Sequence, residues 1–319
     1  MSDIIALVLP FFGMIFLGSL VAMLTKQPIE ALGWMNTFIL YLALPALFFQ
    51  LLSQTPFEEL TNWTFILGAV AATYIVFSLM FAISWIGDRN IPDSTIKALA
   101  ASYGNIGYMG PGLALLAFGE QAAVPVALIF AFENAVHFAV APFMMAVSGE
   151  RKESWWQVAR GVTTKIVYHP FIIATAMGVL AAWLQWRPPV ALDTMLDYLA
   201  RAAAPCALFV MGVTIALRPL KRVPVDLLPI TVLKLIVHPL ICYAILTAIG
   251  DFPPVWIYTA MLLAALPTAT NVFVIAQQYG VWVQRASASV LVTTIVSIAT
   301  VTAILYAIKS GFLPADPWS

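Results

Sequence analysis

The sequence predicts an all-α membrane protein of ten transmembrane helices, built as two inverted five-helix repeats whose fourth and ninth helices are broken. Three observations predict it. Hydrophobic residues make up 62% of the 319 and charged residues only 9%, with a mean hydropathy of +0.95. That leaves too little polar surface to cover a water-soluble core. Apolar runs of spanning length recur ten times, and residues recur between the two halves at an offset of 160.

A span of the hydrocarbon core takes about 20 apolar residues. The runs fall at 4–24, 33–53, 63–86, 95–117, 121–147, 167–185, 195–216, 225–249, 255–279 and 284–308. Polar separators rich in proline and charge divide them, among them "TKQPIE", "GDRNIPDS", "QWRPP" and "RPLKRVP". Asp3 stands where a signal peptide would carry basic residues, so the first run is expected to remain as a helix. With the N-terminus outside, eleven Lys and Arg fall on inner loops and three on the outer side. This positive-inside bias places both termini outside the plasma membrane.

The repeat is read from aligned residues. An offset of 160 pairs Pro10 with Pro170, Gly18 with Gly178, Pro28 with Pro188, Pro45 with Pro205 and Phe49 with Phe209. One inserted residue later, Gly119 falls on Gly280. Five spans per half is an odd number, so the second half must be inverted, the plan common in secondary transporters. The halves are 1–148 and 166–319, joined by a cytoplasmic linker at 149–165.

The fourth run carries "ASYGNIGYMGPGLALLAFG" and the ninth carries "LPTATNVFVIAQQYG" at the matching place. Glycine and proline free backbone groups that hydrocarbon cannot solvate, so such breaks survive only inside protein or along a wet cavity. Breaks at corresponding positions of two halves point to a binding site, with half-helix N-termini suited to a carboxylate. Gly104, Asn105, Gly110, Pro111, Pro267, Thr268, Thr270 and Asn271 are the candidate substrate-binding residues. Close helix packing at Gly104, Gly107 and Gly110 is the competing explanation.

Ionisable groups inside spans are few and point to function by default. Glu133 and His137, and Lys234 and His238, are each spaced i, i+4 and share a helix face. Lys234, Glu133 and His137 are candidates for charge balance or coupling. Lys234 is expected to pair with Glu133, to answer a substrate carboxylate, or to stand in for a bound sodium ion; snorkelling to an interface is the alternative. The histidines lack the further ligands a metal needs, and Cys206 and Cys242 sit in apolar runs without metal-type spacing, so no metal or cofactor is expected. Asp193, Asp197 and Arg201 read as a solvated helix start. Trp155, Trp156, Trp183, Trp186, Trp256 and Trp282 read as interfacial belts.

"YLALPALFFQLL", "GNIGYMGPGLALLAFG", "APCALFVMGVTIAL", "LKLIVHPL" and "LPTATNVFVIAQQYG" together resemble the recurring segments of the auxin efflux carrier family, in its bacterial branch. The resemblance covers all ten spans. It implies a fold of the bile-acid transporter and sodium/proton antiporter type, with the two broken helices crossing near the midplane. It also implies a scaffold of the first two and last spans, a possible homodimer, and carriage of carboxylates such as malate, malonate or auxin. The family's fourth-span asparagine falls on Asn105, and its ninth-span proline and polar residues fall on Pro267 to Asn271. The order Gly110-Pro111-Gly112 departs from the family's common Gly-x-Pro, and Val272 stands where plant members have a second proline.

The function expected is secondary active transport of small organic anions by alternating access, without enzymatic activity or a nucleic-acid partner. A ten-span drug/metabolite-type transporter is the alternative, and an intramembrane enzyme a further one. The first has no midplane breaks in its fourth and ninth spans; the second needs acid or metal motifs that this sequence lacks. Proton, sodium and membrane potential stay open as the coupling force.

Overall fold

A computed structural model describes residues 2–148, 156, 160, 161, 163, 164, 167–217 and 224–314. Most of the expected linker, with Trp155, lies outside them. The helices are α1 (Ser2–Thr25), α2 (Ile29–Ser53), α3 (Trp63–Asp88), α4 (Ile91–Ser102), α5 (Gly110–Phe118), α6 (Glu120–Val147), α7 (Pro170–Trp183), α8 (Val190–Leu217), α9 (Leu227–Ile249), α10 (Pro254–Ala264), α11 (Thr270–Tyr279) and α12 (Val283–Lys309). Among the described residues the only extended pairing is an isolated antiparallel bridge between Gly104 and Thr268. Six helices among the described residues, α2, α3, α6, α8, α9 and α12, are long and apolar enough to cross a membrane. The expected fourth run is divided between α4 and α5, and the ninth between α10 and α11.

The chain forms two compact units. The first takes Met1–Asn62, Gly107–Ala131 and Tyr168–Pro219; the second takes Trp63–Ile106, Phe132–Val167 and Leu220–Ser319. Each draws on both halves of the sequence. The expected grouping of the last span with the first two is not what the structure has: α12 belongs to the second unit, and α7 and α8 accompany α1 and α2. The reason is packing, because α12 lies against α11, α9 and α4.

In the first unit α1 packs along α8 and α2 along α7. Small residues let the backbones approach where lipid supplies no hydrophobic drive. A Cβ on Gly18 would lie 2.1 Å from the Phe209 carbonyl oxygen, and one on Gly212 would lie 1.9 Å from that of Ile15. Ser19 Oγ donates to the Gly212 carbonyl at 2.8 Å in the same crossing. A Cβ on Gly178 would stand 3.1 Å from the Phe49 carbonyl oxygen where α7 meets α2.

The second unit is assembled around α4. Asn90 caps it, accepting the Asp93 N–H at 2.8 Å, and Pro92 sits in its first turn. Every residue from Ser94 to Ser102 is buried, as expected of a helix surrounded by others. Two turns of π-helix interrupt longer helices, Ile39–Ala43 in α2 and Leu233–Val237 in α9. Each lies just before a proline, Pro45 and Pro239, which cannot donate the next α-helical bond. The chain answers with i to i−5 bonds, Leu44 N–H to the Ile39 carbonyl and His238 N–H to the Leu233 carbonyl.

Of the tryptophans expected at interfaces, Trp156, Trp183 and Trp186 are exposed, while Trp282 is half-buried against the α4 cluster. Trp256 corrects that expectation. It is buried, its ring 4.9 Å from Phe65 in an edge contact, because most of α10, Trp256, Ile257 and Thr259 to Ala264, is enclosed by protein. Arg201 and Asp197 form an exposed ion pair at 2.7 Å, in keeping with a solvated helix start.

Gly18→Ala and Gly212→Ala are each expected to lower stability by about 1–3 kcal/mol, since backbone must move to admit the methyl group. Gly13→Ala, with nothing within 4 Å, is expected to be neutral. Melting temperatures of the detergent-purified variants provide the check.

Candidate functional site

The break in each half is closed by the other. After α4 the chain turns extended at Tyr103, and before α11 it is extended at Ala269. Asn105 N–H donates to the Pro267 carbonyl at 2.8 Å, and Ala269 N–H donates to the Tyr103 carbonyl at 2.9 Å. Between these bonds Gly104 faces Thr268. Thr268 finishes the crossing: its Oγ1 donates to the Ala100 carbonyl at 2.7 Å, and its N–H donates to Thr293 Oγ1 at 3.0 Å. The first bond satisfies a carbonyl that α4 leaves open in its last turn. Pro267 makes the ninth break by the ordinary route, restricting Leu266 before it and withholding a donor.

Gly104 has a steric reason to be glycine. A Cβ there would stand 3.2 Å from the Leu263 carbonyl oxygen and 3.2 Å from Lys234 Nζ. Lys234 therefore reaches the crossing itself. It lies in the π turn of α9, is fully buried, and donates to the Ala264 carbonyl at 2.5 Å. A cation at the C-terminus of α10 is favoured by the partial negative charge there. Snorkelling is excluded by this placement.

A pair with Glu133, one of the three roles the sequence allows Lys234, is present only indirectly, through two residues. Lys234 Nζ lies 2.9 Å from His238 Nδ1, and His238 Nε2 lies 3.0 Å from Thr73 Oγ1. The Thr73 hydroxyl donates to Glu133 Oε1 at 2.7 Å. All four side chains are buried. The two i, i+4 pairs behave differently: Lys234 and His238 bond side chain to side chain, whereas His137 Nδ1 lies 2.6 Å from the Glu133 backbone oxygen.

A second chain of polar contacts leaves the crossing toward α11. Asn271 Nδ2 donates to Tyr103 Oη at 2.9 Å, and Tyr103 Oη donates to Asn134 Oδ1. The His137 ring lies against that of Tyr103, centroids 3.9 Å apart, and 5.4 Å from that of Tyr74. Thr270 and Asn271 are half-buried at the start of α11, whose N-cap, Ala269, offers no side-chain acceptor. These N–H groups keep their capacity for an anion.

Of the candidate residues, Gly104, Asn105, Pro267, Thr268, Asn271 and Lys234 thus gather at the crossing, with Glu133 and His137 joined to it through Thr73, His238 and Tyr103. Thr270 opens α11 beside them. Gly110 and Pro111 belong to the first unit, where they open α5 behind an N-cap, Met109, that likewise lacks a capping side chain. Thr73, Asn134 and Thr293 escape sequence reading, because a hydroxyl or amide inside an apolar helix has no distinctive spacing. Tyr103 could have been noticed, since it directly precedes the glycine of the break.

Lys234→Met leaves the Ala264 carbonyl, His238 Nδ1 and the Glu133 carboxylate without their cation, and is expected to cost about 3–5 kcal/mol of stability. Adding Glu133→Gln removes the stranded charge and should restore about 1–3 kcal/mol, a coupling that a double-mutant cycle of melting curves will measure.

Comparison with known proteins adds a family to this geometry. A family model described as "Membrane transport protein" matches residues 3–305. A protein of Rhizobium meliloti (strain 1021) named "Putative malonate transporter" is 60% identical over 317 residues, 99% of each chain. "Uncharacterized transporter YfdV" of Escherichia coli (strain K12) is 23% identical over 276 residues, 83% of this chain and 85% of its own. An "Uncharacterized transporter" of Methanothermobacter thermautotrophicus is 22% identical over 296 residues, 92% of this chain and 94% of its own.

Proposed function

Because the chain belongs to the auxin efflux carrier family of membrane transport proteins, we propose that this multi-pass transporter carries small organic anions by alternating access at the crossing of its fourth and ninth spans. The observation that carries the reading is the crossing itself. Two broken segments pair through backbone bonds at Asn105–Pro267 and Tyr103–Ala269, with the buried Lys234 ammonium beside them. Such a place offers an anion a buried amine that can carry positive charge and backbone donors already held in position. Asn105, Thr270 and Asn271 supply polar groups to the carboxylate, while Gly104, Pro267 and Thr268 hold the backbone in the crossing form.

The ten-span, inverted reading belongs to this proposal. It is supported by packing in the first unit, where the offset of 160 exchanges partners: Gly18 meets the Phe209 carbonyl and Gly178 meets that of Phe49. Each unit also takes segments from both halves, as interlocked repeats would. Lys and Arg placement supports an inner-membrane protein with both termini outside. The relative named as a malonate transporter makes malonate the first substrate to try.

The test is uptake of labelled malonate, malate, succinate and indole-3-acetate into proteoliposomes. Saturable uptake of malonate is expected, and Asn105→Ala should lower kcat/KM by about tenfold or more, the loss of one well-placed polar contact worth about 1.4 kcal/mol. If no acid moves under proton, sodium or voltage gradients, the substrate class is wrong. Normal uptake by Asn105→Ala would leave a carrier whose site is elsewhere.

A further inference from the structure

The chain from Lys234 to Glu133 has a direction. An ammonium can only donate, so His238 Nδ1 must accept from Lys234. The other ring nitrogen, Nε2, then carries the proton and donates to Thr73 Oγ1, whose own hydrogen goes to Glu133. His238 and Thr73 each accept once and donate once, between the cation at the crossing and the carboxylate. Moving one proton along each bond reverses all of them. Lys234 gives a proton to His238 Nδ1, His238 Nε2–H gives one to Thr73, and the Thr73 hydroxyl gives one to Glu133. The products are a neutral amine, the other histidine tautomer, an intact hydroxyl and a protonated carboxyl, with net charge zero before and after.

We infer that Lys234, His238, Thr73 and Glu133 form a proton relay that couples anion movement to one proton. The inference rests on the carrier reading above. Empty, the relay holds one exchangeable proton, shared between Lys234 and Glu133. When a carboxylate sits at the crossing its charge holds Lys234 as ammonium, and Glu133 takes up a second proton. The loaded carrier then moves one proton with each anion, and the relay spares the membrane one unit of buried negative charge. The titratable neighbours packed against the relay are Tyr74 of α3, His137 of α6, Cys242 of α9 and Tyr103 at the crossing. None of these is a carboxylate or an amine; His137, the one base among them, has its Nδ1 engaged 2.6 Å from the Glu133 backbone oxygen. Tyr74 Oη and His137 Nε2 are buried without a hydrogen-bond partner and extend the polar surface beyond Glu133.

Thr73 makes the test, because it bonds to neither crossing segment and Val is nearly its shape. Full-length protein in proteoliposomes is assayed twice with labelled malonate: for exchange against internal malonate, which needs no net proton, and for net uptake driven by an acid exterior, with internal pH followed by a trapped dye. Wild type is expected to bring in one proton per malonate. Thr73→Val should keep exchange within about twofold and lose net uptake at least tenfold, with Thr73→Ser restoring it. His238→Gln, whose amide can make the same two bonds but cannot pass a proton, should behave like Thr73→Val. Proton-driven uptake persisting in both Thr73→Val and His238→Gln overturns the relay. So does loss of exchange together with uptake in the folded variants, which marks a structural role. Wild type that exchanges malonate without proton uptake overturns coupling and leaves the carrier standing. Wild type that neither exchanges nor accumulates malonate overturns the malonate reading and the relay with it.

Discussion

Everything in the second unit depends on a rule of backbone chemistry: a peptide group that leaves a helix inside hydrocarbon must find another partner. Either broken segment alone would leave carbonyls and amides unanswered. Placed side by side and antiparallel, they answer one another, with the Asn105 amide on the Pro267 carbonyl and the Ala269 amide on the Tyr103 carbonyl. The remaining open carbonyls draw in side chains. Thr268 turns back to Ala100, and Lys234 comes across from α9 to Ala264. The burial of α4 from Ser94 to Ser102 accords with this, since the partners that close its end come from the segment just before α11.

This gives Lys234 two duties that meet in one atom. Its nitrogen ends α10 electrostatically and also heads a chain of bonds to a carboxylate on α6. A cation held only by carbonyls would be a structural cap. A cation held at the far end of a histidine tautomer is, in the relay proposed above, responsive to what happens at Glu133, and Glu133 to it. In the proposed relay the crossing is charged conditionally, whereas helix N-termini at Thr270 carry a fixed partial charge.

Much of the helical order was legible because hydropathy and proline punctuation are both local signals. The breaks were legible too, as glycine and proline are rare enough in apolar runs to stand out at Gly104 and Pro267. What each break is paired with was not, because pairing depends on two segments about 160 residues apart in sequence. Lys234 and Glu133 were visible as ionisable residues in spans, but their separation by His238 and Thr73 was invisible. Spacing along one helix says which residues share a face and nothing about a threonine on a neighbouring helix. Trp256 misled for the same reason: a tryptophan near a span end reads alike whether lipid or Phe65 lies beside it.

The π turn at Leu233–Val237 has a consequence of its own. A helix that accommodates one surplus residue in a single turn is advanced by about 100° relative to a regular helix of the same sequence. The stretches of α9 on either side of the turn are thus set at independent angular phases. The residues before it can be trimmed to suit α4 and α12, and those from His238 onward to suit α3 and α10. Removing a single residue from the turn would put the two stretches back in phase and swing one of them, with its whole lining, away from its neighbours. A lysine that must reach Ala264 while its helix still presents His238 to Thr73 sits where the helix has been given that extra degree of freedom.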